Sequence, residues 1–282
     1  MRIIAAVGVL CILWGIIESH LFKVGRYVFD ILPPGIPSIS ILQISDLHLR
    51  QRRKKMARFI RSIDETYDFV FATGDLLGGP ESVELCAELL NTLDAKMGRY
   101  FVLGSSDYYA PRIKNYIDYF LKRRKHGTRR NPTGEFREKL AQQGWLELTN
   151  AQILGNVDGL TFQITGLDDP YLHRDDRSIL HRDPTVDLAI CVVHAPDPYL
   201  DASAAGYDLM ISGHTHGGQV RLPFIGAVVT NSAIPRAIAR GASKVGQMWL
   251  FITPGLGTGK YAPFRFMCRP EVSVLELVAR ED

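Results

Sequence analysis

Apolar and polar positions follow two rhythms along this chain. Residues 39–44, 69–72, 100–103, 160–165, 188–193 and 208–211 are short, nearly continuous apolar runs, the pattern of strands covered on both faces. Between the first runs, Met56, Phe59, Ile60 and Ile63, and then Val83, Cys86, Leu89, Leu90 and Leu93, recur at helical spacing. A shorter helix is expected over residues 135–143, ahead of Trp145. Late strands are expected at 248–252 and at 272–278, the second with clear alternation. Strands alternating with helices imply a layered α/β architecture.

The N-terminus has a different pattern. Residues 3–17 are almost wholly apolar, with Arg2 before them and Glu18, His20, Lys23 and Arg26 after. A bilayer span needs roughly 17–25 residues, and extension through Phe22 takes in Glu18 and His20. No small-residue cleavage site follows. Residues 1–26 are therefore expected to form a hydrophobic helix that anchors the protein to a membrane by a single uncleaved N-terminal span, in preference to a buried core helix. Positive charges flank the segment almost evenly, so the side of the membrane stays open. Residues 27–38, with Pro33, Pro34, Gly35 and Pro37, are expected to be a linker. The remaining 39–282 form one expected domain, with a charged insertion at about 111–133.

Composition adds bounds. The 282 residues give ample core for one large α/β domain, and a net charge of +3 indicates no nucleic-acid partner. Cys11, Cys86, Cys191 and Cys268 are widely spaced, which excludes a disulfide framework or zinc knuckle.

The chemistry lies just beyond the apolar runs. Asp46, His48, Asp75, His194, His214 and His216 each follow a predicted strand. Strand ends of such a sheet gather on one edge, and all six are good ligand types for a divalent cation. Their number exceeds what one tetrahedral ion needs, and a carboxylate such as Asp75 can bridge two ions.

The series Asp46-x-His48, Gly74-Asp75, Gly104-Ser105-Ser106-Asp107, His194 and Gly213-His214-Thr215-His216 resembles the calcineurin-like metallophosphoesterases. The short apolar N-terminus, the extension through Gly217-Gly218-Gln219 and the late Tyr261-Ala262-Pro263 are similar to the membrane-associated branch, some members of which act on a UDP-linked diacylglucosamine or a similar lipid. The resemblance implies an α/β, four-layer αββα sandwich with a dinuclear centre. It implies that Asp46, His48 and His216 hold one ion, that His194 and His214 hold the other, and that Asp75 bridges them. The usual third motif is Gly-Asn-His-Asp or Gly-Asn-His-Glu. Here Ser105 stands at the metal-binding Asn and Ser106 at the His that assists the leaving group. A hydroxyl is a weaker ligand than an amide oxygen and is no general acid near neutral pH, so the second ion is expected to be either loose or held with help from Asp107 or water, and general-acid help to be lacking. Asp75, Ser106 and Asp107 are the expected participants in the chemistry. Ser105 joins the six as a metal ligand.

The expected activity is metal-dependent hydrolysis of a phosphoester or pyrophosphate of a small molecule or lipid. Two divalent ions, with Mn, Fe or Zn best suited to this set, would activate a bridging water for in-line attack. The rival expectation is a metal-binding, non-catalytic scaffold or sensor at a membrane. Arg50, Arg52, Arg53, Lys54 and Lys55, and Lys122, Arg123, Arg124, Lys125, Arg129 and Arg130, could meet phosphate or anionic lipid, or form a solvated face. Gly255-Leu256-Gly257-Thr258-Gly259 is not read as a nucleotide loop, because Pro263 and aromatics follow it. Asp168-Asp169-Pro170 and Asp197 are expected to be turn or cap residues.

Overall fold

The computed structural model describes residues 2–111, 128–230, 232–259 and 262–280, with side chains from residue 8 onward. Most of the expected insertion, including Lys122, Arg123, Arg124 and Lys125, and also Tyr261, lies outside the described residues.

Two six-stranded sheets carry the fold. The first contains β1 (Lys23–Leu32), β2 (Ile39–Ile44), β3 (Tyr67–Thr73), β4 (Ala95–Val102), β5 (Trp145–Glu147) and β14 (Glu271–Ala279), in the order β1-β14-β2-β3-β4-β5. The second contains β6 (Ala151–Val157), β7 (Leu160–Gly166), β8 (Leu188–Val192), β9 (Leu209–Ser212), β12 (Gly241–Val245) and β13 (Met248–Ile252), in the order β12-β13-β9-β8-β7-β6. A two-stranded ribbon, β10 (Arg221–Leu222) with β11 (Gly226–Ala227), stands apart. Pairing is parallel from β2 through β5 and among β7, β8, β9 and β13, so the strands that precede the candidate residues end on common edges.

The two-residue period of each strand sorts its side chains between layers. Ile41, Phe69, Phe71 and Tyr100 of the first sheet meet Ile164, Ile190, Ile211 and Phe251 of the second in a shared apolar layer. Each large side chain so buried contributes about 1.5–3 kcal/mol. Leu42, Ile44, Val70 and Ala72 face the other way, onto Met56 and Ile60 of α2 (Lys54–Arg61), Cys86 and Leu90 of α3 (Val83–Leu90) and Phe136 and Leu140 of α5 (Thr133–Gln142). The outer face of the second sheet packs Ala189, Cys191 and Met210 with Ala202 of α6 (Tyr199–Ala204). Gln43 is a buried polar residue on the inner face. Its Nε2 donates to Thr73 Oγ1 at 2.9 Å and to the Ser212 carbonyl at 3.0 Å, pinning the two sheets together beneath the site.

The N-terminus corrects the sequence reading in two places. Helix α1 (Arg2–Glu18) has 17 residues, and among the described residues no helix is long and apolar enough to cross a membrane. The expectation of a single N-terminal membrane span is therefore overturned. The reason is local: Glu18 is not available to extend an apolar span, because its buried carboxylate accepts the backbone N–H groups of Met267 (2.9 Å) and Cys268 (2.7 Å). The chain then turns into β1, whose residues pair in parallel with β14 from Lys23 onward. Residues 27–32, expected to be linker, thus belong to a sheet, and the proline-rich break is confined to the turn after Leu32. β1 escaped notice because only Gly25, Phe29, Ile31 and Leu32 are buried and its exposed positions include Val24 and Val28.

Candidate metal centre

Every candidate side chain leaves a strand end. After β2 the chain runs Ser45-Asp46-Leu47-His48-Leu49 beside the loop after β3. The N–H groups of Asp46, His48 and Leu49 donate to the carbonyls of Gly74, Asp75 and Leu76, each at 3.0 Å. Leu47 and Leu49 fill the helix-side core, so Asp46 and His48 project the other way. Asp46, His48, Asp75, His214 and His216 all have φ between 39° and 68°. They are five of the eleven non-glycine residues with positive φ among those described. Each such residue costs on the order of 1–3 kcal/mol, and this concentration at one place marks it as a built site rather than a polar rim.

Distances show what converges. Asp75 Oδ2 stands 3.4 Å from His194 Nε2 and 3.6 Å from His48 Nε2. Its Oδ1 accepts the Ser106 N–H at 2.7 Å and lies 3.5 Å from Ser105 Oγ. His48 Nε2 is 3.1 Å from His216 Nε2, and His214 Nδ1 is 3.3 Å from His194 Nε2. Asp46 Oδ1 is 3.6 Å from His216 Nε2, while its two oxygens accept the His214 N–H at 3.2 and 3.0 Å. His194 Nδ1 lies 2.8 Å from the Thr73 carbonyl, a contact that in the neutral ring puts the proton on Nδ1 and the Nε2 lone pair toward the site. Asp46, His48 and His216 offer ligand atoms mutually within 4.8 Å, and so do Asp46, Asp75 and His194.

This donor set suits divalent cations. Imidazole nitrogens and carboxylate oxygens are the ligands of Mn, Fe and Zn. Without a cation the charges are poorly balanced. Burial pushes the Asp46 carboxyl up to about 6 against the pull of His194. Burial would likewise raise Asp75, but the charge and hydrogen bond of His194 and the charge of His48 hold it well below the usual carboxylate range. His194 is driven well above its ordinary value, Asp75 overcoming burial. His216 is driven well below, first by burial and then by His48 and Arg265. Nitrogens held at contact distance beside desolvated carboxylates are stabilised by deprotonated imidazole binding a cation.

The backbone must come close for this geometry. A Cβ on Gly104 would sit 2.5 Å from Asp75 Oδ1, and one on Gly213 2.4 Å from Asp46 Oδ2. The glycines flanking the motifs are thus required by space.

The third motif forms α4 (Ser105–Tyr108). Ser105 and Ser106 flank Asp75, as described. Asp107 is different from expectation: its Oδ1 accepts the N–H groups of Leu76 (2.8 Å) and Leu77 (2.9 Å), and its Oδ2 that of Gly104 (2.9 Å). Both oxygens serve the backbone, so Asp107 pins the loops after β3 and β4 together. Burial and the neighbouring Asp75 still raise its carboxyl to about 7. Among the basic candidates, Arg53 donates to the Thr258 carbonyl at 3.0 Å and hydroxyl at 2.6 Å. Burial lowers it to about 10. It is a brace for the glycine-rich segment.

Two further features escaped the sequence reading. Arg265 is fully buried and donates from Nη2 to the carbonyls of Pro254 (2.7 Å), Gly255 (3.0 Å) and Gly257 (2.6 Å), and from Nε to Gly257 (3.1 Å). Its Nη2 also lies 3.4 Å from His216 Nδ1. The segment it holds is hydrogen-bonded to the β2 loop, Leu256 N–H to Ser45 and Gly257 N–H to Asp46. The glycine-rich segment is therefore a backing for Asp46. Nothing in a lone arginine signals this. The second feature is Asp169, which does cap a turn, its Oδ1 accepting the Tyr171 N–H at 3.1 Å, but which is also completely buried.

Comparison with known proteins follows from this geometry. A family model described as calcineurin-like phosphoesterase matches residues 39–218. The uncharacterized metallophosphoesterase YkuE of Bacillus subtilis is 27% identical over 93% of this chain and 87% of its own length. UDP-2,3-diacylglucosamine pyrophosphatase LpxG of Chlamydia muridarum is 26% identical over 96% of this chain and 94% of its own length. A transmembrane protein with metallophosphoesterase domain from Bos taurus is 29% identical over 88% of this chain but 55% of its own length.

Proposed function

The chain belongs to the calcineurin-like phosphoesterase family, a family of metal-dependent phosphoester hydrolases, and from that premise we propose that it hydrolyses a phosphodiester or pyrophosphate bond at a centre for two divalent cations. The observation that carries this reading is Asp75 Oδ2, standing between His48 Nε2 (3.6 Å) and His194 Nε2 (3.4 Å). In this reading Asp46, His48 and His216 would hold one cation, His194 and His214 would hold the other, and Asp75 would serve both. The packed sheets with helices outside each support reading the fold as a four-layer αββα sandwich.

When bound, the cations supply Lewis-acid polarisation of the phosphoryl oxygens and a water made nucleophilic near neutral pH. The chain's own residues do the rest. Asp46 and Asp75, desolvated at the strand ends, give the negative charge that holds cations. The Thr73 carbonyl keeps His194 Nε2 directed inward. The Ser106 N–H, 2.7 Å from Asp75 Oδ1, fixes the carboxylate orientation. Ser105 and Ser106 carry hydroxyls where the usual motif has an amide and an imidazole, so in this reading the chain favours leaving groups of low pKa such as a nucleotide phosphate. That preference, and the name of the Chlamydia muridarum relative, support a nucleotide-linked lipid pyrophosphate as substrate.

The test is hydrolysis by the full-length protein, supplied with Mn, of bis(p-nitrophenyl) phosphate, a UDP-linked diacylated sugar and an alkyl phosphodiester. The reading expects the first two to be turned over well ahead of the third. Binding of metal with no turnover of any of them would favour a non-catalytic scaffold.

A further inference from the structure

We propose that Asp169 is an outer carboxylate of the cation site on the His194–His214 side, filling in for the amide ligand that Ser105 lacks. This rests on the two-cation reading above. Three observations carry it. The first is place. β7 and β8 run in parallel register, Gly166 against Val192, and the Leu167 N–H bonds the Val192 carbonyl. Asp169 and His194 therefore leave neighbouring strand ends. Two residues on, the Tyr171 ring packs against the His214 ring with centroids 5.5 Å apart.

The second is attachment to the third motif. Tyr108, the last residue of α4, donates its hydroxyl to both oxygens of Asp168, at 2.8 and 3.0 Å. Arg174 Nε binds Asp168 Oδ2 at 2.9 Å and the guanidinium lies over the Tyr108 ring at 4.2 Å. This network fixes the segment after β7 to the helix that carries Ser105 and Ser106.

The third is an unpaired atom. Asp169 is 0% exposed, and its Oδ2 has no hydrogen-bond donor in the structure. Burial is what most raises its carboxyl, to about 8. A carboxylate oxygen is not left buried without a donor or a cation unless something else meets it. Asp169 falls outside the two groups of mutually close ligand atoms, so its proposed place is behind the direct ligands, acting through water. Asp169 is thus a positioning residue.

The experiment titrates chelator-stripped full-length protein with Mn²⁺ alone, following binding by calorimetry. The parent is expected to take two equivalents. In Asp169→Asn the weaker equivalent should lose about 10–100-fold in affinity, the cost of removing an outer partner of a metal site, while the tighter one is unchanged. Adding Ser105→Asn to that variant should restore the weaker equivalent. Asp169→Glu, which keeps the charge but shifts the oxygen by a methylene, should weaken the same equivalent and covers the case in which Asp169→Asn does not fold. Two equivalents of parental affinity in both variants would overturn the role of Asp169 and leave the two-cation reading intact. Equal weakening of both equivalents would mean that Asp169 merely supports the loop, and also overturns it. Fewer than two equivalents in the parent would instead sink the two-cation reading.

Discussion

The two sides of the candidate centre are built differently. On the Asp46–His48–His216 side all three residues are in the left-handed region, and the glycine-rich segment and buried Arg265 support them from behind. On the other side His214 is in the left-handed region too, but His194 is not, and its Nδ1 meets the Thr73 carbonyl. There the four-residue α4 brings the Ser105 hydroxyl and the Ser106 N–H beside Asp75. One side has all three ligand residues in that region and a buried, satisfied arginine behind them; the other has only part of its set there and leaves the buried Asp169 oxygen unpaired. The difference teaches that the departing third motif sits on the side with room to be compensated. Substitutions should therefore affect the two sides unequally.

The largest effect is expected at Asp75, which touches both sides. Asp75→Asn should lower kcat/KM for bis(p-nitrophenyl) phosphate by at least ~10³, the size of several kcal/mol of lost charge stabilisation, with circular dichroism unchanged. Retention of near-parental activity would break the comparison at its centre.

Arg265→Met comes next and acts on the first side alone. It strands several buried carbonyls at about 1–3 kcal/mol each, less what relaxation recovers. The unfolding free energy in urea should fall by about 3–5 kcal/mol, and the tighter Mn²⁺ equivalent should weaken. Weakening of the other equivalent instead would show that the sides are not separable in this way.

Ser106→His acts on the second side and should raise kcat/KM on the order of tenfold for alkyl phosphodiesters, below the 10²–10⁴ span of a well-placed general acid. Nitrophenyl esters should change little, because their leaving group needs no proton. An equal gain on both substrates would argue against a proton-donor role for that position.

The smallest effect is a control remote from both sides. The Asp68 carboxylate accepts the Ser40 N–H and hydroxyl, each at 2.7 Å, and the Lys96 ammonium at 3.0 Å. Burial would raise it, but these contacts outweigh burial and hold it below its usual value. A depressed carboxyl stabilises the fold above the ordinary carboxylate pKa of about 3.9, and that stabilisation is lost as pH falls through the folded value. Asp68→Asn should therefore flatten the loss of stability below about pH 4 and leave Mn²⁺ binding unchanged.

Much of this was legible from the chain itself. β2 and β13 begin and end where the apolar runs do, because strands buried on both faces are made mostly of apolar residues, with Ser40 and Gln43 the polar positions of β2. The six candidate ligands could be found because each follows such a strand. β1, β6 and β12 were not legible: one or both of their faces are half exposed, and their mixed patterns read as loop. The N-terminal helix was misjudged because hydropathy says nothing of Glu18, whose pairing with two amides near the far end of the chain exists only in three dimensions. Asp107 shows the same limit. Its residue type fits catalysis, and only the three backbone donors around it reveal that it holds loops. Arg265 could not be foreseen, since its partners are carbonyls, which every sequence has.

The most direct test of the two-cation account is hydrolysis of bis(p-nitrophenyl) phosphate by chelator-stripped full-length protein as Mn²⁺ is added in fractions of an equivalent. The expected result is no hydrolysis in the stripped protein, little up to the first equivalent, a rise between the first and second, and a plateau at two. Hydrolysis by the stripped protein, or full activity at a single equivalent, would contradict it.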